Sequence, residues 1–227
     1  MADFGDLLKK SRGYDAFKQK EIEVEKKQKE REDKVWVNRF WLAPEQETRI
    51  IFLDDDPIIL EEHQIKLNGD WRNWFTCLKV LNQHCVLCDE IKDTPSTVGF
   101  YTILDLTEYT NKKGEKVKSS VKLFTPKFKA LQLIKRQSQK RGGLELCMFD
   151  VYRSSADAFN VGDSFEYIDE EITWEDVKAL NPDAKVFDYA EILAPKTNEE
   201  IRKILNKNTQ DNLDSGTDEL DEEDVAF

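Results

Sequence analysis

Three of the chain's four cysteines and one of its two histidines fall within CLKVLNQHCVLCD, residues 77–89. Thiolates and imidazoles at such spacing suit a metal, a redox couple or plain packing. Cys85-Val86-Leu87-Cys88 is a C-x2-C knuckle, which lets two thiolates of one tight turn reach the same ion, and Cys77 lies a loop's length upstream. A closed zinc site takes four ligands. His84 adjoins Cys85, and neighbouring side chains diverge, so His84 is the less suited of the two histidines and stands as the alternative fourth ligand. His63 lies in PIILEEHQIKL, where alternation places it with Ile59, Ile65 and Leu67 on the apolar face. A buried histidine needs a partner, and a metal is one. The expected ligand set is His63, Cys77, Cys85 and Cys88 around a structural Zn2+. The plainer alternative is reduced cysteines and a satisfied core histidine. A redox pair would want a βαβ context, which the knuckle lacks. A catalytic zinc would keep a coordination position open. Cys147 alternates with Phe149 and Val151 and reads as a core thiol.

The elements that must position these ligands read as mainly β. KVWVNRFWL, TRIIFLD, PIILEEHQIKL, WRNWFTC, VGFYTILDL, VKSSVKLFT, LELCMFDVYR and DSFEYI carry β-branched and aromatic residues in short runs. Thr125 as N-cap and Pro126 at the first position open a helix that stops at Gly142-Gly143. TWEDVKAL starts with a capping pair, Thr173 and Asp176, and TNEEIRKIL reads as another helix. Six or seven short strands with one mid-chain helix predict an OB-fold-like five-stranded barrel with a zinc-binding insertion at about 63–90 and a few short helices. The expected domains are a charged arm over 1–33, a core over 34–205, and a disordered acidic tail over 206–227.

Charge then narrows the function. The net charge is −12, yet residues 211–227 hold eight acids and no base, while 112–141 hold eleven Lys/Arg against the single acid Glu115. Such polarity suggests a basic binding surface beside an acidic interaction tail. The basic stretch supplies Lys112, Lys113, Lys116, Lys118 and Lys122 with Phe124 among them, and the following helix adds Lys127, Lys129, Lys135, Arg136, Lys140 and Arg141. Trp71 and Trp74 surround Arg72, Tyr101 and Tyr109 flank a strand, and Arg153 and Phe159 follow Tyr152. Flat side chains among cations suit single-stranded bases, where stacking is worth ~1–3 kcal/mol per base. The bland alternative is a solvated charge run over core aromatics. No major-groove reading pattern is present. The acidic triplet Asp54, Asp55 and Asp56 offers a nuclease reading, but consecutive side chains point apart and suit a turn better. No apolar run approaches the ~20 residues of a membrane span. With no long apolar leader, the expectation is a cytoplasmic protein that is not an enzyme.

Taken together, the zinc ligands in the order His63, Cys77, Cys85 and Cys88, the head Lys9-Lys10-Ser11-Arg12 and the acidic tail resemble the zinc-containing helix-destabilising single-stranded DNA-binding proteins of T-even phages, and the tail end DEEDVAF is similar to the tips of bacterial and other phage single-strand binders. The resemblance implies an OB-fold with a structural zinc and no catalysis. It implies that Lys9, Lys10, Ser11 and Arg12 mediate cooperative self-association on DNA. It also implies that Asp221, Glu222, Glu223, Asp224 and Phe227 recruit polymerase, helicase or primase during DNA replication, recombination and repair. This chain is shorter than the T-even type, and the charged arm after its head has no place in that pattern. A zinc-containing RNA-binding or transcription-accessory module is the alternative reading.

Overall fold

The computed structural model describes residues 37–110, 114 and 116–214, and in the head Tyr14, Lys18, Glu21 and Ile22. The chain divides into two compact units, Met1–Val37 and Asn38–Phe227. The four described head residues are helical and exposed. Lys9, Lys10, Ser11, Arg12, Lys112, Lys113, Asp221, Glu222, Glu223, Asp224 and Phe227 lie outside the described residues.

Among its described residues the second unit is built on nine antiparallel strands: β1 (Glu47–Phe52), β2 (Ile58–Gln64), β3 (Trp74–Thr76), β4 (Ser96–Asp105), β5 (Tyr109–Thr110), β6 (Lys116–Val117), β7 (Ser120–Phe124), β8 (Met148–Tyr152) and β9 (Ser164–Ile168). Five helices accompany them: α1 (Val86–Asp89), α2 (Phe128–Arg141), α3 (Trp174–Leu180), α4 (Tyr189–Ile192) and α5 (Asn198–Asp214). Seven strands form one sheet in the order β3-β2-β4-β1-β8-β9, with β7 also on β4, and β5 and β6 form a separate hairpin. The path runs open from β3 to β9, and no strand pair closes it into a barrel among the described residues.

β4 is the hub because it is long and apolar enough to be covered on both sides. Its first half pairs with β2 (Leu60 opposite Val98) and its second half with β1 and β7 (Ile103 opposite Phe52 and Lys122). Side chains of β1 alternate between two cores, as a strand's period of two requires. Ile50 and Phe52 enter one with Tyr101, Phe124, Ile134 and Phe149, while Ile51 and Leu53 enter the other with Leu104, Met148 and Val177. Phe52 meets Tyr101 and Phe149 edge-on, at centroid separations of 5.3 and 5.7 Å, a favoured geometry for aromatic pairs. A third core, around Leu67, Phe75, Leu78 and Leu87, lies beside the cysteines.

Several local expectations shift. Among its described residues, the run expected as a first strand makes one bridge, Arg39 to Leu123, with Phe40 N–H donating to the Leu123 carbonyl. VKSSVKLFT is split at Lys118-Ser119 into β6 and β7. α2 starts two residues later than expected, with Lys127 as N-cap. Pro126 and Lys127 stay extended because they continue the pairing along β4, where Gly99 N–H donates to the Pro126 carbonyl. The stop holds: Gly142 takes φ 79° and its N–H caps Ser138, the left-handed C-terminal cap that glycine favours. The Thr173–Asp176 capping box forms as read. α5 continues to Asp214, past position 206 where disorder was expected. No helix among the described residues is long and apolar enough to cross a membrane.

Candidate metal centre and adjoining surface

Four segments converge on the cysteines. His63 is the sixth residue of β2 and pairs across to Phe75 of β3. Cys77 follows β3 directly, and its N–H donates to the Glu61 carbonyl, so the ladder continues one step and aims its sulfur beside His63. The chain then turns through a short 3-10 segment, Leu78–Leu81, which ends at Asn82 with φ 56°. Cys85 caps α1, whose single turn brings Cys88 back over it.

The four donor atoms lie within 4.8 Å of one another, and His63, Cys77 and Cys85 are buried. Cys77 Sγ is 3.5 Å from Cys88 Sγ, and His63 Nε2 is 3.4 Å from Cys88 Sγ and 3.6 Å from Cys85 Sγ. A tetrahedral zinc with its usual bond lengths would set S···S at about 3.8 Å and S···N at about 3.6 Å. The sulfur separation is far beyond the ~2.05 Å of a disulfide, and all four cysteines are free. These residues can hold a metal ion. His84 stands apart: its ring is half exposed and Nε2 lies 3.5 Å from Asp89.

The surroundings favour a cation. His63 Nδ1 donates to Asp93 Oδ2 at 2.6 Å, which fixes the tautomer that leaves Nε2 free for a metal. Asp93 had no sequence signal beyond being one acid among 46 Asp+Glu. Burial raises the Cys85 thiol, but backbone amides of Cys88, Leu78 and Leu87 on its sulfur outweigh that and bring it down to about 7. Burial, with Cys77 and Cys85 beside it, pushes Cys88 up to about 12. Burial likewise raises Cys77. Three crowded thiols thus resist ionising together, and a divalent cation removes that conflict.

The expected nucleic-acid residues divide into surface and core. Trp71 is 55% exposed, and its carbonyl accepts from Gln64 Nε2, one residue beyond His63. Arg72 is exposed and paired with Asp70 at 2.9 Å. Trp74 is half-buried and pairs with Gln64 in the ladder. Arg39, which sequence reasoning passed over, lies 4.1 Å above the Trp74 ring and makes a bidentate pair with Glu62 at 2.7 and 2.5 Å. Tyr109, Lys116 and Lys118 are exposed on and beside the β5–β6 hairpin. Lys127, Lys129, Lys135, Arg136 and Lys140 are exposed on or just before α2. Arg141 is not free in this way, since its guanidinium stacks 3.9 Å over Tyr167.

The structure places four of the expected contacts in or against the core, and a fifth in an ion pair. Tyr101 is 2% exposed and Phe124 fully buried, because the β4 and β7 faces that carry them are covered by packed aromatics. Phe159 packs against the same core. Arg153 is buried and donates to the Leu42 and Ala156 carbonyls at 2.8 and 2.6 Å, so its charge is spent holding two loops together. Lys122 is constrained by the buried Asp105, which it meets at 2.5 Å. The acidic triplet splits up: Asp54 accepts from Thr102 N–H and the Tyr189 hydroxyl, and Asp55 from Leu144 and Glu145 N–H.

No family model, no curated protein and no solved structure matches the chain.

Proposed function

We propose that the protein is a sequence-tolerant single-stranded DNA-binding protein, built on an OB-like sheet and stapled by a structural zinc at His63, Cys77, Cys85 and Cys88. Zinc suits the donor set, since three thiolates and an imidazole match its preference and four ligands leave no open position. The ion's role is to tie the 65–90 segment to β2. The observation that carries the reading is the aromatic and cationic group at the outer end of β2 and β3. There Trp71, Arg72 and Trp74 with Arg39 flank the strand that ends at the metal. Exposed lysines on the β5–β6 hairpin and α2 supply charge for phosphates. Coating and protecting single strands in replication, recombination and repair follows from this chemistry. Recruitment of replication proteins through the acidic tail and cooperative contact through the basic head belong to the same proposal.

Fluorescence anisotropy with oligo(dT), a length-matched RNA and a duplex tests it. The proposal expects the single-stranded DNA to bind most tightly and the duplex most weakly. RNA binding tighter than oligo(dT) would replace it with the RNA-accessory reading. Divalent-metal-dependent cleavage of the DNA would replace it with a nuclease.

A further inference from the structure

α5 rests on the metal knuckle through contacts to its backbone, its core and its C-cap. Asn198, at the start of α5, accepts the Val86 N–H on Oδ1 at 2.9 Å and donates from Nδ2 to the His84 carbonyl at 2.8 Å. Those two backbone groups flank Cys85. Val86 N–H is a first-turn amide with no partner inside α1, so Asn198 satisfies a donor the short helix cannot. One turn on, Ile201 is 1% exposed and packs in the core that contains Cys77, Cys85 and Leu87, with Ile204 and Leu205 beside it. Arg202 pairs with Glu90, just past α1, at 2.5 Å.

α1 is a single turn, and isolated turns are unstable in water. Cys85 caps it and Cys88 lies within it, so an ion shared by both sulfurs would clamp the turn. The strands β1, β4 and β8 make no such demand: they are tied together by their own ladders and cores. The chain before α5 is anchored to β3, by Thr76 Oγ1 donating to the Leu193 carbonyl at 2.9 Å. Metal loss can therefore release α5 from its start without disturbing β1, β4 and β8.

We infer that α5 and the metal knuckle form one metal-dependent unit, so that metal occupancy decides whether the helix leading into the acid-rich stretch 211–227 is docked. This rests on the metal reading above. It adds a function for the metal beyond stapling: it decides whether the start of α5 is docked. Thermodynamic reciprocity makes a second claim, that weakening the α5 contacts weakens metal retention.

Hydrogen–deuterium exchange of the full chain, with metal content measured first and exchange followed with and without a chelator, tests this. The expected result is loss of protection over 198–206 together with 77–90, while 47–52, 96–105 and 148–152 keep theirs. Protection of 198–206 that survives metal loss overturns the inference and leaves the metal reading intact. Collapse of protection across the sheet also overturns it, because the metal would then hold the whole domain. A chain that neither contains nor takes up zinc overturns the metal reading itself, and the inference with it. In the reciprocal test, equilibrium competition with a chromophoric chelator should show N198A/I201A holding zinc about tenfold more weakly than the parent and releasing it at correspondingly lower chelator concentration. Unchanged release from the folded variant would contradict the coupling, and the exchange experiment on the parent decides the matter should the variant not fold.

Discussion

The His63 imidazole has distinct partners at its two nitrogens: Nε2 faces the Cys85 and Cys88 sulfurs, and Nδ1 is held by Asp93. Removing the carboxylate frees the ring and its tautomer. Asp93→Ala should therefore weaken zinc binding about 10–100-fold, measured by chelator competition; equal affinity would show that the ring is fixed by packing alone. The quartet was legible in sequence because a C-x2-C turn and strand alternation are local rules. Asp93 was not legible, because its role depends on a loop whose path no local rule specifies. Asp54 gives a second test. Burial raises its carboxyl to about 6, against the lowering pull of the Tyr189 and Thr102 donors. Between the ordinary value and about 6 the folded chain keeps a proton that the unfolded chain releases. The stability from that proton is full at low pH and is lost as pH rises through about 6. Asn cannot ionise, so the stability of Asp54→Asn relative to the parent should rise by about 2 kcal/mol from pH 4 to pH 7. Urea unfolding at both pH values measures it, and a constant difference contradicts it.

Among the elements, β2 and β3 tie the fold to the site. Glu62 of β2 is buried, and Arg39 neutralises it while stacking on Trp74 of β3. Arg39→Ala leaves a buried carboxylate without its partner and should cost about 3–5 kcal/mol in urea unfolding. Arg72→Ala, in an exposed pair, should leave the midpoint unchanged. A small effect at Arg39 would mean that water reaches Glu62. The misreadings at this scale share one cause. Alternation in β7 separated Val121 and Leu123 from Lys122 and Phe124 correctly, but it could not say that both faces of the sheet are covered. Leu123 and Phe124 are both buried. The same limit applies to Tyr101, which is 2% exposed. The capping box at Thr173 and the glycine stop at Gly142 were legible because their hydrogen bonds close within a few residues. The docking of α5 on α1 joins residues more than a hundred apart and left no local trace.

At the scale of the whole molecule, the main fact is charge separation: an acidic protein that carries eleven Lys/Arg within 112–141. If that stretch meets phosphates, affinity must fall with salt through counterion release, with a log–log slope of about −0.7 per phosphate neutralised on a single strand. Trp71→Ala should weaken binding by about 1–3 kcal/mol at any one salt concentration without changing that slope, because stacking releases no counterions. A changed slope would assign Trp71 to positioning the cations instead. The β-rich class and the polarity of charge were legible in the sequence, as sums over many residues. The open path of the sheet was not, since closure depends on register between strands far apart in the chain. The most direct test of the central claim is a titration of the intrinsic tryptophan fluorescence with oligo(dT) over a range of salt, on the full chain and on a form ending at Asn206. The account predicts saturable quenching in both forms, tightest at low salt, with a negative log–log slope. No quenching in either form at low salt would contradict it.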